Sequence, residues 1–113
     1  MFFRIFFSTI TLAAFLFSSS AFSGNGSGKI PRVYATSANM VFFSTEINTN
    51  KPACNTAVGG TEWALRVDTS EGRNMYALIM LAFSTSKPIY VIGKGDCLAW
   101  PDRETVDYLY IQN

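Results

Sequence analysis

The 113-residue chain contains no histidine. That removes Ser-His-Asp and Cys-His nucleophilic systems, which need an imidazole to take the nucleophile's proton. It also removes the usual zinc ligand sets. Charge is scarce too. Nine Lys and Arg face eight Asp and Glu, scattered with no run of one sign. Nucleic acid and anionic membrane surfaces are held by concentrated basic faces, so neither partner is expected. A phosphate loop is missing as well. Gly93-Lys94-Gly95 lacks the spacing and the Lys-Ser/Thr ending, and it follows a strand without opening a helix. No cofactor or metal is expected.

A membrane-spanning run is also lacking. The apolar segment Ile5–Phe17 is too short to cross a bilayer comfortably. It reads instead as the core of a secretory signal peptide over residues 1–23. Arg4 is its only charge, Ser18–Ser20 is a polar break, and Ala21-Phe22-Ser23 puts small residues at the two positions a signal peptidase reads. The alternative is an uncleaved anchor, which the polar Ser/Gly stretch that follows at once disfavours. The expected product is a secreted or periplasmic chain, without a stable membrane anchor, starting near Gly24. Its 24–113 portion, about 90 residues, suits one small domain and one modest core. Without Arg4 it carries eight basic and eight acidic residues and is near neutral.

Cysteine is limited to Cys54 and Cys97. In an exported chain two cysteines read as one disulfide, here closing a loop of about 44 residues worth roughly 4 kcal/mol. Two free thiols would need a reducing compartment.

What is present centres on Asp68–Tyr90. Asp68 or Thr69 can cap a helix, with Glu71 at the capping-box spacing from Asp68 and at the positive end of the dipole. Met75–Phe83 is an unbroken apolar run. Ser84–Ser86 loosens the pattern, and Pro88 cannot continue a helix. One helix of about four turns is expected, with Leu78 and Ile79 both buried. It is apolar nearly all round, so either the chain wraps it on several sides or another subunit does.

Strands are expected on both sides. Gly24–Gly28 reads as a flexible leader. Pro31–Ser37 and Met40–Thr45 read as two strands with a tight turn at Ala38-Asn39, or as one bent strand. Ile47–Ala53 starts a loop, and Lys51–Asn55 can form a short strand. Gly59-Gly60 breaks the chain. In Thr61–Val67, Trp63, Leu65 and Val67 face one way and Glu62, Ala64 and Arg66 the other, with Trp63 in the core. Pro88–Gly93 is the next strand. Asp96–Trp100 can be a short one, and Pro101-Asp102 is a turn. Val106–Gln112 closes the chain, with Val106, Tyr108 and Tyr110 on one face. The predicted fold is an all-β barrel of five short strands with one helix between the third and fourth. That is the oligonucleotide/oligosaccharide-binding (OB) type. The alternative is an α+β sandwich with the helix across an antiparallel sheet.

Aromatics carry the functional signal. Trp63, Trp100, Tyr34, Tyr90, Tyr108 and Tyr110 are many for so small a chain, and aromatic faces stack on sugar rings as well as packing cores and interfaces. Trp100, beside Asp102 and Arg103, is a candidate glycan stacker with polar neighbours, though a Trp so near a cysteine can simply cover the disulfide. Met75, Tyr76, Met80 and Phe83 are candidate oligomer contacts. Asp102 and Glu104 can pair as carboxylates, but Pro101-Asp102 reads first as turn chemistry.

Asn50-Lys51-Pro52-Ala53-Cys54, and Ala77-Leu78 in a helix that ends at Ser84–Lys87 and runs into Pro88-Ile89-Tyr90-Val91, resemble the receptor-binding B subunits of subtilase-type toxins. The resemblance covers the order of elements across residues 24–113. It implies the OB-type barrel, a homopentamer, sialylated glycan binding and a catalytic A subunit held by the ring. The leading expectation is a secreted, non-enzymatic binding module for cell-surface glycans. A secreted or periplasmic inhibitor acting on another protein is the second. A small hydrolase using Asp102 and Glu104 is the third.

Overall fold

The structure is a computed structural model that describes residues 23–113. The apolar segment read as an export signal lies outside the described residues. The elements are β1 (Asn25–Gly28), β2 (Val33–Ala35), β3 (Met40–Ser44), β4 (Ile47–Thr49), a 3-10 turn at Ala57–Gly60, β5 (Glu62–Arg66), α1 (Ser70–Ser84), β6 (Ile89–Gly93) and β7 (Glu104–Ile111). The seven strands form one sheet in the order β2-β3-β5-β7-β6-β1-β4. It curls into a half-barrel with α1 packed on β5 and β7. Among the described strands only β5 and β7 pair in parallel.

Seven strands replace the five expected. One of the extra two is the glycine stretch read as a flexible leader. Asn25–Gly28 is a strand pairing with both β4 and β6. Gly26 is there because core side chains fill the space its Cβ would take, and Gly28 takes a positive φ of 100°. At Gly26 a Cβ would lie 2.9 Å from Cζ2 and Nε1 of Trp63. The other is Ile47–Thr49, inside the segment read as a loop, where β4 ends at Asn50 in the left-handed region. Lys51–Asn55 and Asp96–Trp100 are not strands; the latter segment lies in a loop closed by a single bridge between Trp100 and Arg103.

The β2–β3 hairpin turns at Asn39, which takes a positive φ of 57°, as the Ala38-Asn39 signal predicts. The β5 alternation also holds. Trp63 and Leu65 enter the main core with Val41, Phe43, Ile79, Ile89, Val91 and Leu109, while Ala64 joins Met40 and Phe42 in a second cluster on the outer face. Burying Trp63 contributes roughly 4–6 kcal/mol at about 25 cal/mol per Å². Its Nε1 donates to Thr45 Oγ1 at 3.0 Å, so no polar atom of the ring is stranded.

In β7 the pairing slips between Ile92 and Gly93, which oppose Tyr108 and Val106. The extra residue, Asp107, resets the alternation. Val106 therefore points inward with Leu109, while Tyr108 and Tyr110 point out, and Val106 does not share their face.

Thr69, not Asp68, caps α1 by accepting from Gly72 N–H at 3.0 Å. Asp68 instead receives Nε and Nη2 of Arg66. At the other end Lys87 N–H donates to Ala82 C=O, with Ser86 at φ 53°. Ile79 and Ala82 are fully buried, but Leu78 is 38% exposed, against expectation. The helix meets the sheet along one stripe, and the unbroken apolar run extends round to its solvent side.

Cys54 and Cys97 form the expected disulfide, with Cα atoms 6.2 Å apart. It ties the β4–β5 loop to the β6–β7 loop, and Thr56 and Ala57 N–H both donate to Asp102 C=O at 3.1 Å to hold the same junction. No described helix is long and apolar enough to cross a membrane.

Candidate functional site

The tied β6–β7 loop folds onto the outer face of β3 and β5, bringing Trp100, Asp102 and Arg103 together. Trp100 stands edge-on to Phe42, with ring centroids 5.3 Å apart, and Tyr34 flanks Phe42 at 5.4 Å. The Arg103 guanidinium lies 4.4 Å above the Phe42 ring. Its Nε donates to Glu62 Oε2 at 2.8 Å, its Nη1 to Asp102 Oδ1 at 2.7 Å and its Nη2 to Tyr34 Oη at 3.1 Å. Tyr34 Oη in turn donates to Glu62 Oε2 at 2.8 Å, and Arg32 Nη2 pairs with Glu62 Oε1.

Glu62 is thus a wholly buried carboxylate between two guanidinium groups and a phenol. Burial alone would push its carboxyl up, but hydrogen bonds from Arg103, Arg32 and Tyr34 outweigh that and hold it below the usual carboxylate range. The fork of Arg103 is spent inside the network, and its side chain is only 13% exposed. These residues pin the loop and cover Phe42. The sequence reading names Tyr34 and Glu62 but does not join them, or Arg32, to Arg103. The available signal was a carboxylate, Glu62, on the strand face opposite Trp63 and Leu65.

Asp102 and Glu104 do not share one exposed site. Asp102 pairs with Arg103, whereas Glu104 is fully buried, with Oε2 accepting from Gly24 and Gly95 N–H.

A second surface is written by the register of β7-β6-β1-β4. Tyr110 pairs with Tyr90, Tyr90 with Ser27, and Ser27 with Ile47. The next outward row is Tyr108, Ile92, Asn25 and Thr49. Side chains two apart share a face, so both rows lie opposite the buried Ile89 and Val91. The Tyr90 and Tyr110 rings stack with centroids 5.4 Å apart and planes at 28°. Tyr108 and Tyr110 are about half exposed. One outer face therefore presents tyrosines on β7 and β6, with Ser27, Asn25 and Thr49 beside them on β1 and β4.

The candidate oligomer residues divide. Met75 and Tyr76 pack against the chain's own core, and Met80 is half-buried. Phe83 is exposed, together with Leu78 and Leu81. Beside the first turn of α1 lies a groove of about 370 Å³ lined by Arg66, Glu71, Met75, Lys94, Thr105 and Asp107. It sits where the β5–β7 ladder stops after Ala64↔Thr105. Its charges are mixed, and Arg66 is already engaged by Asp68.

Comparison with known proteins brings no match: no family model, no curated protein and no solved structure pairs significantly with this chain.

Proposed function

We propose that this chain is an exported, non-catalytic binding module of the OB type that contacts carbohydrate through the outer face of β7-β6-β1-β4. The observation that carries the reading is the pair of cross-strand rows there. Stacked, half-exposed tyrosines give flat apolar faces for sugar C–H groups, and Asn25, Ser27 and Thr49 supply donors and acceptors beside them. The rows stand on a paired sheet, so little side-chain or loop ordering opposes binding.

The barrel type is supported by strand order. With β1 and β2 counted as one bent strand and β3 and β4 as another, five strands remain. The helix then joins the third to the fourth, and the third and fifth run parallel. The disulfide fits a secreted or periplasmic location. In the toxin-like form of this reading, copies assemble through Leu78, Leu81 and Phe83 into a homopentamer that holds a catalytic A subunit. The same exposed helix face favours a second reading, an inhibitor or interaction domain that docks another protein there.

A glycan array on wild type and on Tyr90→Ala and Tyr110→Ala, with light scattering on each, tests the proposal. Binding by wild type that disappears in both folded variants supports it. A folded wild type that binds no glycan overturns the carbohydrate reading and leaves protein docking.

A further inference from the structure

Glu104 is an unusual group in this core. It is fully buried and, among the described residues, forms no ion pair. Oε2 accepts from the backbone N–H of Gly24 at 2.8 Å and of Gly95 at 3.1 Å. Oε1 has no hydrogen-bond partner. Burial pushes this carboxyl up, the two N–H donors pull it down, and the nearby Asp96 adds to the rise. A buried, half-satisfied carboxyl costs stability unless a cation or further donors reach it.

The missing donor has an evident source. Gly24 is buried, while Ser23 before it is exposed. A Cβ on Gly24 would collide with Glu104 Oε1 and lie 3.2 Å from its Cδ, so the free oxygen rests directly over this residue. In the uncut chain the Gly24 nitrogen offers one N–H, already used on Oε2. The sequence places a signal-peptidase site between Ser23 and Gly24, with small residues Ala21 and Ser23 before it.

We propose that cleavage of the Ser23–Gly24 bond creates a buried ion pair between the new α-ammonium group of Gly24 and the Glu104 carboxylate. The inference rests on the export part of the reading above, not on glycan binding. One water and the peptide bond give a carboxylate on Ser23, which leaves with the leader, and an amine on Gly24, which takes up a proton at neutral pH. The ammonium has three donors where the amide had one. It keeps the bond to Oε2, has donors to spare for Oε1, and supplies the charge the site lacks. Processing thereby completes the core at its interior end. A glycine is required because any side chain at this position would displace the carboxylate.

The test uses protein exported by a bacterial host. Intact mass and N-terminal sequencing should give Gly24 as the first residue. In the folded protein its α-amino group should react with cyanate at least about tenfold more slowly than in the unfolded protein, since pairing that raises an amine pKa by one unit cuts the free base tenfold. Glu104→Gln should restore the fast rate. Should that variant not fold, a chain that retains Ser23 serves instead: its exposed amine reacts at the unfolded rate, and its melting temperature falls by at least about 4 °C. A mature chain starting elsewhere, or a Gly24 amine equally reactive folded and unfolded, overturns the inference. Either result leaves the glycan array to judge the binding reading separately.

Discussion

Trp63 and Glu104 are register partners across the parallel pair of β5 and β7, and both fill space that glycines leave open. At Gly93 a Cβ would lie 2.8 Å from Trp63 Cζ3 and would collide with Glu104 Oε2. At Gly26 it would meet Trp63 alone among the two. Gly26→Ala should therefore lower stability by about 1–3 kcal/mol, the usual cost of overpacking. Urea unfolding followed by tryptophan fluorescence measures it, and an unchanged midpoint would show that the Trp63 ring moves aside freely.

Glu62 makes stability depend on pH in a defined direction. Its folded pKa lies below the ordinary value of 4.5, so the stabilisation is present above that value and is lost as pH falls through the folded one. Unfolding midpoints between pH 7 and pH 3 should fall on the acid side. Glu62→Gln should flatten that fall and cost about 3–5 kcal/mol at pH 7, because Arg103 is left without its buried partner. Equal slopes in both proteins would count against the assignment.

Removing the disulfide should act on the same face. Cys54→Ser with Cys97→Ser should cost about 2–5 kcal/mol. Hydrogen exchange should quicken at Thr56 and Ala57, whose N–H groups are held by Asp102 C=O. The oxidised wild type should show no free thiol after unfolding.

The helix separates core from surface over neighbouring positions. Ile79→Ala should cost about 2–5 kcal/mol, since Ile79 is fully buried. Leu81→Lys, at a residue 54% exposed, should change monomer stability by less than about 0.5 kcal/mol. If copies assemble through this face, Leu81→Lys should dissociate them, because an unpaired charge in an apolar contact is strongly disfavoured. Light scattering reads the outcome, and an assembly that survives the lysine would place the contact elsewhere.

Local signals were legible in the sequence wherever one residue type has one physical use. Thr69 before Gly72, Asn39 at a turn, Pro88 after the helix and the Trp63–Leu65 alternation all behave as their chemistry dictates. The misses come from residues whose use depends on distant partners. Gly24 and Gly26 read as flexibility, yet they are clearance for Glu104 and Trp63, which lie far along the chain. The bulge at Asp107 shifted a correct two-residue period out of phase. Leu78 was assigned to the core from composition, which cannot say which arc of an apolar helix meets a sheet. Trp100, Asp102 and Arg103 do meet, but Glu62 and Tyr34, far off in sequence, receive Nε and Nη2 of Arg103.

The two strands that end the sheet, β2 and β4, are three residues each. Such short ladders give a foreign strand very few free N–H and C=O groups in register. Crowded chains therefore find little backbone template at β2 and β4 for edge-to-edge growth into fibrils. At these two ends a contact between copies, or with a partner, rests on side chains more than on an added strand.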